Sequence, residues 1–168
     1  VLDVAAGTGR VSLALLAGAD FGGHIVGIDH SERMLREAQE ALSEHSDQVS
    51  LIQGDAHALC VASDAFDAAT CLESLEFMRD PRQVVREMVR ALKPGGVMLV
   101  SNRIGPEAWL FPGRHCRRGR LEALLAVEGM ESVDTRRWQV YYDLIWARKP
   151  IVRGHPSGRI AENRGTRP

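Results

Sequence analysis

Short apolar runs alternate along this chain with longer amphipathic stretches, and this order predicts strand–helix units. Runs rich in Val, Ile and Ala are typical of buried strands in a parallel sheet. The longer stretches carry apolar residues at helical spacing. Strands are predicted at 1–5, 24–29, 49–55, 66–73 and 97–102, and helices at 10–19, 32–45, 81–92 and 119–130. The pattern indicates an α/β fold with a doubly wound sheet covered on both faces.

Capping and breaking residues support these boundaries. Ser31 and Asp80 precede two of the helical patterns, where their side chains can accept hydrogen bonds from the first free N–H groups. The segment Lys-Pro-Gly-Gly at 93–96 ends the third helix. Two alternating apolar runs at 131–138 and 140–149 lie so close together that we expect an antiparallel hairpin.

The size of the chain favours one domain. It has 168 residues, of which 45% are hydrophobic, enough for a single core. Residues 150–168 contain Pro, Gly and basic residues with almost no apolar periodicity. We therefore expect a core domain at 1–149 and a disordered C-terminal tail at 150–168.

Charge and cysteine content exclude several classes of protein. The chain has 21 Lys and Arg against 22 Asp and Glu, so its net charge indicates neither a nucleic acid nor an anionic membrane as partner. Cys60, Cys71 and Cys116 lack the CxxC spacing of a zinc site and are odd in number, which predicts no metal site and a reducing, cytoplasmic location. No apolar run reaches the ~20 residues of a membrane-spanning helix.

A glycine turn after the first strand is the main candidate for ligand binding. Gly7 and Gly9 allow the backbone to approach a ligand, and the following helix offers free N–H groups. Asp29 ends the second strand, where a carboxylate can accept hydrogen bonds from ribose hydroxyls. A purely structural turn followed by a helix-capping Asp is the alternative. Ser12 stands where dinucleotide-binding proteins have their third glycine, and the Gly-Lys-Ser/Thr of a P-loop is absent from the sequence.

Five segments in this order resemble the class I S-adenosyl-L-methionine-dependent methyltransferases, especially the ubiquinone and menaquinone C-methyltransferases. They are DVAAGTG, GIDHSERML, QGDAHAL, FDAATCLESLEFMRDP and RALKPGGVMLVS, and the resemblance spans residues 1 to about 149. It implies a Rossmann-like sheet of seven strands in the order 3-2-1-4-5-7-6, with an antiparallel last strand. It also implies one or more helices before the first segment, which the given sequence lacks.

The same resemblance implies which residues bind the cofactor. Asp29 would take the ribose hydroxyls, with His30 and Met34 near the adenine. Asp55 would accept from the adenine amino group, and the Ala56 N–H would face a ring nitrogen. The resemblance also implies cofactor binding by four residues of the first segment, Asp3, Ala5, Gly7 and Gly9, and by two of the fourth, Cys71 and Leu72. Ala5 stands where the family usually has glycine.

Two carboxylates are the candidates for catalysis. Methyl transfer from a sulfonium needs mainly positioning, but a base assists when the acceptor must lose a proton. Glu73 and Glu76 follow the fourth strand, near the expected methyl group; the alternative is that both are solvated loop residues. Trp109 and Phe111 are candidates for the substrate pocket. The basic run at 113–120 lacks the interleaved aromatics of an RNA-binding surface.

The sequence thus predicts an enzyme that transfers a methyl group from S-adenosyl-L-methionine to a small organic acceptor. Two alternatives stay open. One is a nicotinamide-dependent oxidoreductase, which Ser12 disfavours. The other is a non-catalytic, methyltransferase-like binding domain, which the absence of the usual N-terminal helices favours. The nature of the acceptor, the methylated atom and the oligomeric state do not follow from the sequence.

Overall fold

A seven-stranded sheet forms the centre of the computed structural model, which describes residues 1–111 and 118–151, excepting the side chain of Trp109. The strands are β1 (Leu2–Val4), β2 (Ile25–Asp29), β3 (Val49–Gln53), β4 (Phe66–Cys71), β5 (Leu92–Arg103), β6 (Glu131–Gln139) and β7 (Tyr142–Arg148). The helices are α1 (Arg10–Leu16), α2 (Glu32–Ala41), α3 (Pro81–Ala91) and α4 (Arg120–Val127). Three short 3-10 helices lie at Ser43–His45, Leu75–Phe77 and Pro106–Leu110.

The strands are arranged in the order β3-β2-β1-β4-β5-β7-β6, which confirms the predicted topology. The first five strands pair in parallel. β7 pairs antiparallel with β5 and with β6, so the predicted hairpin is also confirmed. The strand order reverses between β1 and β4, and in α/β sheets such a reversal opens a crevice at the carboxyl ends of the strands.

The helices begin where the capping residues indicate. The Ser31 hydroxyl accepts a hydrogen bond from the Met34 N–H at 3.4 Å, and the Asp80 carboxylate accepts one from the Gln83 N–H at 3.1 Å. These side chains satisfy backbone donors that the first turn leaves free. α3 then joins the main core through Val84, Val85 and Met88, and α4 through Leu121 and Leu125, all of them fully buried.

Several elements have bounds different from those expected. α2 ends at Ala41 instead of residue 45, and α4 ends at Val127 instead of residue 130. α1 ends at Leu16, before the predicted end near Gly18. β5 begins at Leu92, directly after α3, so the segment 93–96 belongs to the strand and is not a break before it. The reason is pairing, because the Gly95 N–H donates to the Lys149 carbonyl at 2.9 Å and the Lys149 N–H donates to the Gly96 carbonyl at 2.8 Å.

The expected C-terminal tail lies almost entirely outside the described residues, which end at 151. The basic run at 113–120 is described only from residue 118 onwards. There, the Arg118 guanidinium forms an ion pair with the buried Asp143 carboxylate, with N–O distances of 2.6 and 2.8 Å. Arg118 thus has a structural partner at the start of β7.

We expect Gly9→Ala to lower the free energy of unfolding more than Gly7→Ala. Both glycines have a positive φ, 81° and 55°, so either alanine costs about 1–2 kcal/mol of backbone strain. A Cβ at Gly9 would also lie 2.7 Å from Leu42 Cδ1, whereas a Cβ at Gly7 has no described atom within 4 Å. Crowding adds about 1–3 kcal/mol at Gly9. Denaturant unfolding measures the difference, and equal losses would contradict it.

Candidate cofactor and acceptor site

A cavity of about 370 Å³ lies at the carboxyl ends of the central strands. Its volume is within the range of small-molecule sites. One wall follows β1, β2 and β3, and the other is the segment after β4. The lining residues are, on the first wall, Ala5, Ile28, Asp29, His30, Gly54, Asp55, Ala56 and His57, and on the second, Ser74, Phe77, Met78 and Arg79.

The Asp29 carboxylate joins the glycine turn to the end of β2. Its Oδ2 accepts a hydrogen bond from the Gly7 N–H at 2.8 Å, and its Oδ1 accepts one from the Ser31 N–H at 2.8 Å. Each oxygen keeps a further lone pair, and the side chain lines the cavity. Asp29 can therefore hold the turn and bind ligand hydroxyls at the same time.

Ala5 has a left-handed backbone conformation, with φ of 58°. It directly follows β1 and lines the cavity. A residue with a Cβ is strained there, because the left-handed region brings the Cβ close to the carbonyl oxygen. This conformation explains why glycine is the usual residue at this position of the resembled motif.

Asp3 is buried beside β4, with 1% of its surface exposed. Its Oδ1 accepts a hydrogen bond from the Thr70 hydroxyl at 2.7 Å, and its Oδ2 has no partner among the described residues. Burial raises the pKa of Asp3 to about 6, although the bond from Thr70 opposes this. A cationic ligand group would stabilise the ionised form of this carboxyl.

Asp55 and His57 form a pair on the loop after β3. The Asp55 Oδ1 accepts from the His57 N–H at 2.9 Å and lies 2.7 Å from the His57 Nδ1. The backbone bond, and after it the side-chain bond, lowers the pKa of Asp55 below its usual value. Asp55 is therefore an ionised hydrogen-bond acceptor at the edge of the cavity, and His57 orients it.

The end of β4 brings together the residues expected at the reacting end of the cofactor. Cys71 is fully buried, and burial followed by the nearby acids Asp3, Glu76 and Asp29 raises the pKa of its thiol. Leu72 is half-buried. Glu73 has a positive φ of 51°, and its N–H donates to the Ser101 hydroxyl at 2.6 Å. β5 thus fixes a strained turn just after β4.

Glu76 is buried, which excludes the alternative that it is a solvated loop residue. It is 7% exposed and lies in the 3-10 helix Leu75–Phe77. Its Oε1 accepts a hydrogen bond from the Tyr142 hydroxyl at 2.6 Å. Glu73, by contrast, is half-buried.

The cavity includes only some of the expected cofactor-binding residues. Ala5, Asp29, His30, Asp55 and Ala56 line it. The others lie around it: Asp3, Gly7, Gly9, Cys71 and Leu72 flank the central strand ends, and Met34 is half-buried in the first turn of α2.

Sequence reasoning missed the opposite wall and the acceptor side. Phe77, Met78 and Arg79 line the cavity, but the segment FDAATCLESLEFMRDP to which they belong implies no role for them. Tyr142, from β7, donates a hydrogen bond to Glu76 and accepts one from Arg103, from β5. Phe111, by contrast, is a predicted candidate for the substrate pocket, and its ring packs edge-on against Phe77, with ring centroids 5.0 Å apart.

These observations fit a bound S-adenosyl-L-methionine. A Cβ added at Gly7 would meet no described atom within 4 Å, so the turn leaves room for a ligand. The buried, unpartnered Asp3 Oδ2 suits a cationic group, and the Asp29 carboxylate suits ribose hydroxyls.

Residues 1–111 and 118–151 lack two features. These ranges contain no group of three or more His, Cys, Asp or Glu side chains that could hold a metal ion. Their helices are all too short or too polar to cross a membrane.

Comparison with known proteins places the match in the half of the chain that contains the crevice. The family model described as "Methyltransferase domain" matches residues 1–96. The demethylmenaquinone methyltransferase of Desulfitobacterium hafniense strain Y51 is 40% identical over 108 residues, covering 63% of this chain and 43% of that protein. A 2-methyl-6-phytyl-1,4-hydroquinone methyltransferase of Oryza sativa subsp. japonica is 33% identical over 66% of this chain and 32% of its own length.

This chain therefore spans less than half the length of these curated relatives. Among solved structures, the (4+2) cyclase SpnF superposes with a TM-score of 0.77 and 25% identity, over 89% of this chain and 74% of that one. The similarity of fold extends beyond the family match and includes the last strands. It also joins this fold to a protein described as a cyclase.

We expect Ala5→Gly to raise the free energy of unfolding by about 0.5–1 kcal/mol, because glycine adopts a φ of 58° without the strain that a Cβ causes. Ala6→Gly is the matched control. Ala6 is buried and has no positive φ, so glycine there lowers stability by about 0.5–1 kcal/mol. Denaturant unfolding of both variants measures this; a loss of stability in Ala5→Gly would contradict the assignment of strain.

We also expect Asp3 to make the fold less stable as pH rises from 3.8 to about 6. Its folded pKa is raised, so in that window the folded state binds more protons than the unfolded state, and unfolding becomes easier as the pH increases. Two pKa units correspond to about 2–3 kcal/mol at neutral pH. Asp3→Asn keeps an acceptor for Thr70 and should be more stable than the wild type at pH 7. Equal stability of the two proteins from pH 4 to 7 would refute this.

Proposed function

Because the chain belongs to the methyltransferase domain family, we propose that it carries the catalytic core of an enzyme that transfers a methyl group from S-adenosyl-L-methionine to a small organic acceptor. Residues 1–149 are proposed as that core domain, with 150–168 as a tail. A cytoplasmic location is proposed as well, supported by the free thiols of Cys60 and Cys71.

The observation that carries the proposal is the acidic crevice between β1 and β4. Asp29 and Asp55 line the cavity, and Asp3 lies buried at the same strand ends, with an Oδ2 that has no partner among the described residues. A negative, partly desolvated site of this kind favours a cationic ligand. The methyl donor contains a sulfonium and an ammonium group, whereas a nicotinamide dinucleotide contains an anionic pyrophosphate.

Each expected residue has a proposed role in holding the donor. Asp29 accepts hydrogen bonds from both ribose hydroxyls, and Asp55 accepts one from the adenine amino group while the Ala56 N–H faces the ring. His30 and Met34 lie beside the adenine. The remaining residues surround the amino acid end of the donor: Asp3, Ala5, Gly7, Gly9, Cys71 and Leu72.

The chain's own part in the reaction is to position the reactants and to remove a proton. When bound, the donor supplies a methyl group already activated by its sulfonium. The strand ends hold it in the crevice, and Phe77 and Met78 of the segment after β4 form an apolar part of the opposite wall. Glu73 and Glu76 are the proposed catalytic carboxylates, because they follow β4, where a base can reach an acceptor.

The acceptor is proposed to be an aromatic compound with hydroxyl groups, of the hydroquinone class. The names of the relatives support this, since one is a demethylmenaquinone methyltransferase and another a hydroquinone methyltransferase. The aromatic pair Phe77 and Phe111 is a suitable surface for such a ring.

Two other functions are weighed against this one. No observation favours a nicotinamide-dependent oxidoreductase, and the acidic crevice opposes it. A domain of this fold without methyl transfer deserves a test, because SpnF is described as a cyclase and a fold alone does not fix an activity.

We expect Asp29→Asn and Asp29→Ala to weaken the binding of S-adenosylhomocysteine at least tenfold, which is about 1.4 kcal/mol. Both variants remove the carboxylate that accepts from the ribose and from the Gly7 N–H. Asn keeps one acceptor oxygen, so its loss of affinity should be the smaller of the two. Isothermal titration calorimetry measures this directly.

Asp47→Asn is the matched control, because Asp47 is an exposed residue far from the crevice in the loop before β3. It should bind as the wild type does. Unchanged affinity in both Asp29 variants would refute the role of Asp29, and failure of the wild type to bind would refute the proposed function.

A further inference from the structure

The Glu76 side chain is held by one oxygen only. Its Oε1 accepts from the Tyr142 hydroxyl at 2.6 Å. Its Oε2 is buried and has no partner in residues 1–111 and 118–151. A buried carboxylate oxygen without a donor is costly to the fold. Glu76 itself does not line the cavity, but Phe77, the next residue of the same 3-10 helix, does.

Tyr142 makes the direction of these hydrogen bonds unambiguous. It is the first residue of β7 and pairs across the sheet with Arg103, the last residue of β5. The Arg103 Nη1 donates to the Tyr142 hydroxyl oxygen at 3.1 Å. Because a guanidinium has no acceptor and a tyrosine has a single hydroxyl proton, that proton must point to Glu76.

Arg103 is itself fixed from two further sides. Its Nη2 donates to Glu107 at 3.2 Å, and its guanidinium carbon lies 4.5 Å from the centroid of the Phe111 ring. Phe111 in turn packs on Phe77, which lines the cavity. The same aromatic pair therefore supports the arginine and borders the site.

We propose that Glu76 is a catalytic residue that accepts, at Oε2, the hydroxyl proton of the aromatic acceptor, and that Tyr142 and Arg103 are positioning residues that hold its other oxygen. The inference rests on the proposed function and goes beyond it in assigning the base and its two supports. Phe77 is the aromatic surface beside which the acceptor ring lies.

The proposed step is balanced as follows. The O–H bond of the acceptor breaks, an O–H bond forms at Glu76 Oε2, and the bonding electron pair stays on the acceptor, which becomes the nucleophile. The acceptor then receives the methyl group, whose former bonding pair remains on the donor's sulfur. Where a ring carbon is methylated, that carbon finally releases its proton to water.

Binding of hydroquinone in the absence of the methyl donor tests the contact itself. Calorimetry compares hydroquinone with its dimethyl ether, which has the same ring and no hydroxyl proton. We expect Glu76→Gln to weaken the binding of hydroquinone at least fivefold, because a neutral amide is a poorer hydrogen-bond acceptor than a carboxylate. Tyr142→Phe should weaken it less, and neither variant should change binding of the ether. Tyr141→Phe, on the neighbouring and half-exposed tyrosine, is the control.

Kinetics with hydroquinone as the methyl acceptor separate positioning from structural support. Tyr142→Phe should lower kcat about tenfold with little change in KM for the donor, and Glu76→Gln should lower it further. The double variant should resemble Glu76→Gln alone, since Tyr142 acts through Glu76.

The charged and titratable groups that face Glu76 are Tyr142, Arg103, Cys71 and, through Arg103, Glu107. Burial and then Glu76 raise the pKa of Tyr142 to about 12, so this hydroxyl keeps its proton throughout the pH range of such an assay.

The outcomes distinguish this inference from the proposed function. S-adenosylhomocysteine binding unchanged in both variants, with hydroquinone binding weakened, supports the inference. Unchanged hydroquinone binding in Glu76→Gln overturns it while the proposed function stands. No hydroquinone binding by the wild type overturns it together with the proposed acceptor, and methyl transfer to another acceptor stands. Failure of the wild type to bind S-adenosylhomocysteine overturns both.

Discussion

The hydrogen bonds of the Asp29 carboxylate are the interaction on which the candidate site depends. They tie the Gly7 N–H of the first turn and the Ser31 N–H before α2 to the end of β2. The turn can reach Asp29 only because its backbone adopts left-handed conformations at Ala5, Gly7 and Gly9. One carboxylate thus fixes the floor of the cavity before any ligand is bound, which reduces the ordering that binding requires.

The end of β4 is the second centre of the molecule, and its acids have different surroundings. Asp3 is buried beside Thr70, and one of its oxygens has no partner among the described residues. Glu76 accepts from Tyr142, which in turn accepts from Arg103. The first carboxyl suits the attraction of a cationic donor, and the second suits the acceptance of a proton. We propose that this separation into two environments provides one side for the donor and one for the acceptor, as a group transfer requires.

The fold could be predicted almost completely from the sequence, and the acceptor side could not. Caps such as Ser31 and Asp80 act locally, so most strand and helix positions follow from short windows. The segment 93–96 instead joins β5 through its pairing with the distant Lys149. Asp29 could be found because its distance from the glycine turn is set by one strand–helix–strand unit. Tyr142, in contrast, lies 66 residues from Glu76 in the sequence. The alternation of apolar and polar residues in β7 does not predict that the two side chains meet. Only the antiparallel register of β5 and β7 brings Arg103 beside it.

Thermal unfolding of this chain with S-adenosylhomocysteine, with NADH and with neither ligand tests most directly the claim that the crevice between β1 and β4 binds a methyl donor. At 100 times its dissociation constant, a ligand adds about 2.7 kcal/mol to the free energy of unfolding. The account predicts a higher midpoint with S-adenosylhomocysteine and an unchanged midpoint with NADH. The account is contradicted if NADH alone raises the midpoint, or if neither ligand raises it.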